Sequence, residues 1–256
     1  MSNIQKVFQG GKAFIGFVTG GDPTMEKSLD FIVKMAEAGA DLIEIGIPFS
    51  DPVAEGPVIQ AANIRALSAG ADTNGIFELA AKARAKTDVP LVFLTYLNTV
   101  FKYGYEAFCT RCEEIGVDGL IIPDLPFEER GELSGIAADH GVDIIALIAP
   151  TSEDRIQKIA SAATGFIYIV SSMGVTGVRS EIKTDLRSIL EMVKASSTTP
   201  AAVGFGISTP EQAREVAAIA DGVIVGSAIV KIVETYGEDA GSYIYDYVKA
   251  MKDAIR

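Results

Sequence analysis

The sequence contains few of the residues that most catalytic and metal sites use. It has one histidine and two cysteines among 256 residues. A Ser-His-Asp triad and a metal site with several histidine ligands are therefore not expected, and acid–base chemistry would fall to carboxylates, tyrosine or lysine. The histidine, His140, precedes a Gly-Val step at the end of a helical stretch. We interpret it as part of a helix C-terminal turn, where the helix dipole favours a cation.

Positive charge is also scarce, with 22 Lys and Arg against 34 Asp and Glu and a net charge of −12. This balance argues against binding to nucleic acid or to an anionic membrane surface. It does not exclude a phosphorylated small molecule, because backbone N–H groups can hold a phosphate. The chain has no apolar run of about 18 residues, and its N-terminus lacks the apolar run of a signal peptide.

The two cysteines, Cys109 and Cys112, form a C-x-x-C pattern that is compatible with a redox pair. Two glutamates follow directly, and no second pair of ligands completes a metal site. We therefore expect reduced thiols on a helix, no metal and a cytoplasmic protein.

Eight short apolar runs predict eight strands. Each run is nearly continuous, as in parallel strands that are buried on both faces. The predicted strands span residues 13–20, 42–47, 90–96, 119–124, 143–150, 166–172, 200–206 and 222–228.

The segments between these runs have apolar residues three and four apart, which predicts helices. Eight strand–helix units predict a single (β/α)8 TIM-barrel domain over residues 1–256, with an extra N-terminal helix. A doubly wound sheet is the alternative.

The longest connections follow strand 2 (48 to about 74) and strand 6 (172 to about 183). A barrel carries its active site at the carboxyl ends of its strands, so these loops are candidates for it.

Three carboxylates surround the end of strand 2. Glu44 interrupts an apolar strand, and Asp51 and Glu55 follow in a loop rich in Pro and Gly. Burial penalises an ionised carboxylate, so we predict that the pKa of Glu44 is raised, which suits a general acid–base. A structural ion pair is the alternative, but no Lys or Arg lies on strands 1 to 7 as predicted.

The ends of strands 7 and 8 are rich in glycine, in the sequences VGFGIST and VGSAIVK. Barrels frequently bind phosphate at these loops. The predicted phosphate site comprises Gly206, Gly226 and Ser227, with Gly204 nearby and Gly177 reaching over from the loop after strand 6. Tight turns would also explain these glycines.

Apolar and aromatic side chains near other strand ends are either core residues or the lining of a flat apolar pocket, namely Phe17, Leu94, Tyr96, Ile122, Ile148, Tyr168 and Phe205.

Seven stretches resemble the tryptophan synthase alpha subunit, in order and across nearly the whole chain. They are GFVTGGDP, LIEIGIPFSDPVAEGPVIQAAN, PLVFLTYLNTVFKYG, GVDGLIIPDLPFEE, YIVSSMGVTGVR, GFGISTPEQ and GSAIVKIVE. The resemblance implies retro-aldol cleavage of indole-3-glycerol phosphate to indole and glyceraldehyde 3-phosphate, with no cofactor in this chain. It also implies a partner, the beta subunit, which uses pyridoxal phosphate within an alpha2beta2 complex.

The resemblance assigns roles to individual residues. Glu44 matches the family's catalytic glutamate, and Thr176 matches a lid threonine. The family's second catalytic acid is an aspartate, where this chain has Glu55. The indole pocket would comprise Phe17, Leu94, Tyr96, Ile148, Tyr168 and Phe205, and the phosphate site Gly177, Gly206, Gly226 and Ser227. Asp51, Pro52 and residues 98–103 would face the beta subunit.

Three functions are open. Glu55 has one methylene more than the family's aspartate, and a displacement of about 1 Å can lower a catalytic rate roughly a hundredfold. The chain could be the lyase. It could be a catalytically weakened alpha subunit that acts mainly as an allosteric activator of the beta subunit. It could also be another phosphosugar barrel enzyme, although the EIGIPFSDP loop does not support that alternative.

Overall fold

Eight parallel strands close into a barrel in the order of the sequence, which confirms the predicted (β/α)8 fold. The structure, a computed structural model, describes residues 2–150, 153–170, 179–204 and 206–256, with backbone alone for 179–185. The strands are β1 Ala13–Thr19, β2 Leu42–Gly46, β3 Leu91–Leu94, β4 Gly119–Ile121, β5 Asp143–Ile148, β6 Thr164–Val170, β7 Ala201–Gly204 and β8 Gly222–Val225. Most predicted strands were too long at the carboxyl end, because the apolar pattern continues into the loops.

Helices surround the barrel. In the described residues they are α1 Asn3–Lys6, α2 Met25–Glu37, α3 Pro57–Ser68, α4 Thr73–Arg84, α5 Leu97–Tyr103, α6 Tyr105–Ile115, α7 Gly131–Asp139, α8 Glu153–Ser161, α9 Arg179–Ser196, α10 Pro210–Ala217, α11 Ser227–Tyr236 and α12 Ala240–Ala254. The short α1 confirms the extra N-terminal helix. No helix in the described ranges is long and apolar enough to cross a membrane.

The predicted long loop after β2 was wrong in one respect, because it contains α3. This helix starts with Pro57 after Gly56 at its N-cap, a favourable start since proline needs no N–H partner there. Ile64 and Leu67 on α3 are exposed. The helix therefore lacks the clean apolar stripe by which the other helices were recognised. Most of the long connection after β6 lies outside the described residues.

The side chains of the strands form two apolar layers, one inside the barrel and one against the helices. Side chains alternate between the barrel interior and the surrounding helices, since successive residues of a strand point to opposite faces. Both layers are buried, which explains the continuous apolar runs. The interior layer comprises Ile15, Leu42, Val92, Ile121, Ile145, Phe166, Ala202 and Ile224.

Carboxylates stabilise the amino-terminal ends of the strands. Asp41, Asp118 and Asp221 each precede a strand and accept a backbone N–H from the preceding strand. The donors are the N–H groups of Phe14 (2.6 Å), Leu91 (3.0 Å) and Ala201 (2.9 Å). These acids lie at the end of the barrel that serves stability, opposite the loops that carry function.

The cysteines and the histidine lie on the outer helices. Cys109 and Cys112 are buried and unpaired on α6, and burial raises the pKa of the Cys109 thiol to about 11. Such thiols are poor nucleophiles. His140 ends α7 as predicted, and its ring nitrogens contact Glu113 (2.6 Å) and Glu106 (3.0 Å). These hydrogen bonds raise the pKa of His140 and connect α7 to α6.

An ion pair attaches α3 to the loop after β1. Arg65 donates two hydrogen bonds to Asp22, at 2.9 and 2.8 Å, and Asp22 is 1% exposed. The pair fixes α3 against the barrel, and α3 in turn carries a side chain that contacts the candidate site.

We predict that Arg65→Met lowers the free energy of unfolding by about 2 kcal/mol, since it leaves the Asp22 carboxylate buried without its partner. Chemical denaturation would measure the change. Lys34→Met is the control, because Lys34 forms an exposed ion pair with Glu37 on α2. An equal loss in both variants would contradict a special role for the buried pair.

Candidate active site

A cleft of about 440 Å³ opens at the carboxyl ends of the strands. Inward-facing side chains from four strands form its floor, namely Phe17, Glu44, Leu94 and Tyr168. Phe17 and Glu44 are register partners on adjacent strands β1 and β2. The barrel thus places one carboxyl group among apolar and aromatic side chains, as the sequence predicted for this end.

Glu44 lies deep in this cleft. The residue is 1% exposed, and its Oε1 has no hydrogen-bond partner among the described residues. Burial alone raises the pKa of Glu44 to about 8. The predicted rise in pKa is confirmed, and its cause is the loss of water without a compensating cation. A carboxyl group with this pKa can give and take a proton near neutral pH.

Tyr168 lines the floor of the cleft together with Glu44. Burial, and then the negative charge of Glu44, raise the pKa of Tyr168, so its hydroxyl stays protonated. A Cβ atom added to Gly204 would come within 2.7 Å of the Tyr168 ring. The glycine at the end of β7 therefore makes room for the tyrosine.

Glu55 reaches the same cleft from the loop after β2. Its carboxylate accepts a 2.6 Å hydrogen bond from Nδ2 of Asn63, which is 4% exposed on α3. Burial raises the pKa of Glu55, while hydrogen bonds from Asn63 and Tyr96 oppose the rise. Sequence reasoning missed Asn63, because it lies on the helix that was predicted as loop.

Tyr96 is not among the side chains that line the cleft, and its place in the indole pocket stays a prediction. It follows β3, is 1% exposed, and stacks on Phe49 at 5.0 Å between ring centroids. Its hydroxyl accepts the Ala54 N–H at 3.2 Å. The Tyr96 hydroxyl donates its own proton in a hydrogen bond to the Glu55 carboxylate. Tyr96 therefore supports the loop that carries Glu55.

Ile148 also lies away from the cleft, because it faces the helix layer and is fully buried there. Alternation along β5 gives the interior position to Leu147 instead. Leu147 lines a second cavity of about 440 Å³, which shares Ala54 with the first. Other walls of this second cavity are Ile122, Pro123, Phe127, Arg130 and Val170.

The glycine-rich end of the cleft combines β7, β8 and the start of α11. Gly206, Gly226 and Ser227, the described residues of the predicted phosphate site, line it together. Gly226 is the N-cap of α11, so the first N–H groups of this helix have no partner within the helix. Ser208 and Lys231 line the same end and were missed, although Lys231 follows Ser227 by one helical turn.

Four other predicted residues are absent from this lining for two different reasons. Thr176, Gly177 and Phe205 lie outside the described residues. Asp51 is exposed at the loop surface, where its carboxylate accepts a hydrogen bond from Ser50. Among the described residues, no cluster of His, Cys, Asp and Glu is arranged to hold a metal ion.

Comparison with known proteins decides the family. The family model described as "Tryptophan synthase alpha chain" matches residues 4–256. The chain belongs to the tryptophan synthase alpha chain family. A tryptophan synthase alpha chain from Lacticaseibacillus casei is 51% identical over 255 residues, which cover 100% of this chain and 96% of the relative. One from Lactiplantibacillus plantarum is 50% identical over 256 residues, or 100% and 97% of the two chains.

Solved structures of tryptophan synthase alpha chains share the fold. The alpha chain from Legionella pneumophila subsp. pneumophila is 36% identical with a TM-score of 0.89, covering 100% of this chain and 97% of that one. A chain of the alpha2beta2 tryptophan synthase complex from Pyrococcus furiosus is 35% identical with a TM-score of 0.88, covering 95% and 99%.

We predict that Glu44→Gln changes the pH dependence of stability. The folded pKa of about 8 exceeds the ordinary 4.5, so the unfolded chain loses this proton first as pH rises. Wild-type stability relative to the variant should then fall between pH 4.5 and about 8, by up to about 4 kcal/mol. Denaturant titrations of both proteins across this range would measure it. A difference that does not change with pH would contradict the raised pKa.

We also predict that Asn63→Ala raises the pKa of Glu55 further and lowers the free energy of unfolding by about 1–2 kcal/mol, since a buried hydrogen bond is lost. Carbon-13 NMR titration of the glutamate carboxyls would follow the pKa. Gln60→Ala is the matched control, because Gln60 on the same helix donates to the backbone carbonyl of Glu55 at 2.7 Å. If Gln60→Ala shifts the pKa equally, the side-chain contact is not the cause.

Proposed function

We propose that this chain cleaves indole-3-glycerol phosphate to indole and glyceraldehyde 3-phosphate, as a tryptophan synthase alpha subunit. Tryptophan synthase alpha chains are lyases with this activity. The observation that carries the proposal here is Glu44, a buried carboxyl without a cation that faces a cleft between apolar walls and a glycine-rich end.

Glu44 is the proposed proton shuttle. In its acid form it protonates C3 of the indole, which turns the ring into an electron-deficient indolium. The resulting carboxylate then takes the proton of the adjacent glycerol hydroxyl. The C–C bond breaks, its electrons return to the ring, and the hydroxyl carbon becomes the aldehyde. Glu44 regains its proton, and a pKa of about 8 keeps both of its forms accessible near neutral pH.

Glu55 is the proposed stabiliser of the indole nitrogen. Protonation at C3 puts positive charge on that nitrogen, and a carboxylate that accepts its N–H lowers the energy of this state. The hydrogen bonds from Asn63 and Tyr96 fix the carboxylate beforehand. These contacts support a catalytic role for glutamate at this position in spite of its extra methylene.

The phosphate is assigned to the opposite end of the cleft. Backbone N–H groups at the start of α11 and the Ser227 hydroxyl can donate to its oxygens. The apolar walls from Phe17 and Leu94, and Leu147 in the adjoining cavity, suit the flat indole ring. The substrate's two ends would thus be held apart, with the breaking bond near Glu44.

The proposed partner is a tryptophan synthase beta subunit, which holds the pyridoxal phosphate of the complex. Apolar side chains on the cleft side support a docking surface there. Val53 in the loop after β2 is 77% exposed, and Phe101 on α5 is 67% exposed. These residues belong to the loop and helix that the resemblance assigned to the beta-facing surface.

A cytoplasmic location is proposed as well, supported by the unpaired cysteines.

Indole release from indole-3-glycerol phosphate tests the proposal, with the chain alone and with its beta subunit. We predict activity that the beta subunit increases and that Glu44→Gln lowers at least a hundredfold, since the proton shuttle is lost. Unchanged activity in Glu44→Gln would contradict the assigned role of this residue.

Glu55→Asp distinguishes the lyase from a weakened regulatory subunit. The shorter side chain withdraws from Asn63, so we expect the cleavage rate to fall by about tenfold or more. A large gain in rate would instead mean that the native glutamate impairs catalysis. Absence of cleavage in every mixture, while the chain still accelerates the beta reaction, would establish the regulatory function.

A further inference from the structure

Lys231 brings a cation to a cleft that is otherwise acidic. Of the described residues that line this cleft, Lys231 is the only Lys or Arg, and the carboxyl groups are those of Glu55 and of Glu44, which stays protonated at neutral pH. The whole chain carries a net charge of −12. A dianionic ligand therefore approaches against an unfavourable field, and a cation within the cleft lowers this repulsion locally.

The helix geometry aims this lysine at the glycine-rich end. Lys231 follows Ser227 by four residues on α11, so the two side chains share one helix face. Side chains on a helix lean towards its N-terminus, which here is the end formed by Gly226 and Ser227. Ser227, Ala228 and Lys231 all line the same cleft.

A carboxylate competes for the same lysine. Nζ of Lys231 lies 2.5 Å from Oε2 of Glu234, and the Lys231 side chain is 63% exposed. An exposed lysine keeps its rotamer freedom and a surface ion pair is weak, so a dianion within reach can displace the glutamate.

We propose that Lys231 is a substrate-binding residue that attracts and holds the phosphate, and that Glu234 competes with the phosphate for it. The proposal rests on the proposed function for the identity of the substrate, but it concerns phosphate binding itself. It assigns the affinity for the dianion to a side-chain charge in addition to backbone N–H groups.

Binding of glycerol 3-phosphate and inorganic phosphate, measured by calorimetry at low salt, tests the proposal. Lys231→Met should raise the dissociation constant about three- to tenfold, and Lys231→Arg should restore most of the affinity. Glu234→Gln should lower the dissociation constant about twofold, since the competing carboxylate is gone. The effect of Lys231→Met should shrink as salt is added, because salt screens an exposed charge.

The pair Lys34 and Glu37 on α2 provides matched controls. It is also an exposed Lys–Glu pair three residues apart, and it lies near the C-terminus of α2, towards the opposite end of the barrel. Lys34→Met and Glu37→Gln change the net charge equally but should leave binding unchanged. Wild-type affinity in Lys231→Met, or an equal loss in Lys34→Met, would overturn the proposal.

Kinetics separate this inference from the proposed function. With indole-3-glycerol phosphate, Lys231→Met should raise KM and leave kcat nearly unchanged, since the lysine contacts the phosphate and not the reacting bond. If the wild type binds phosphate as predicted but cleaves nothing, the lyase assignment fails and the binding role of Lys231 stands. If cleavage occurs but Lys231→Met binds phosphate normally, the lyase assignment stands and the binding role of Lys231 fails.

Discussion

The desolvation of one carboxyl group is the constraint on which the site depends. Glu44 is 1% exposed inside the barrel mouth, and the described residues provide no cation beside it. An ionised carboxylate at such a position destabilises the fold, so the group keeps its proton to about pH 8. The same burial that lowers stability above neutral pH creates the acid–base that the proposed mechanism requires.

The rest of the barrel tolerates this cost because stability and function lie at opposite ends. At the amino-terminal ends, Asp41, Asp118 and Asp221 accept backbone N–H groups and fix adjacent strands. At the carboxyl ends, the loop after β2 and helix α3 hold Glu55 through Asn63. Arg65 and Asp22 then tie α3 to the barrel, so the second acid is positioned by helix packing.

The sequence predicted the parts of the site that leave a local pattern. Glu44 was recognised because a carboxylate interrupts an apolar strand, and the glycine-rich end of the cleft because glycines terminate two strands. Asn63 left no such signal, since its partner lies eight residues away and is reached only when α3 forms. Ile148 and Tyr96, which were predicted for the indole pocket, do not line the described cleft. On β5, the neighbouring residue Leu147 faces the barrel interior in place of Ile148. Tyr96 lies beyond the end of β3, where the alternation of side chains between the two faces of a strand no longer applies. The single-domain boundary of 1–256 stays a prediction.

The infrared spectrum of Glu44 reports its protonation state directly. A difference spectrum between the wild type and Glu44→Gln isolates the carbonyl stretch of a protonated carboxyl group at this position. We predict that this band is present at pH 7 and disappears with a midpoint near pH 8. A band that disappears near pH 4.5 would mean that Glu44 is an ordinary ionised glutamate at neutral pH. Its assignment as the proton donor would then be contradicted.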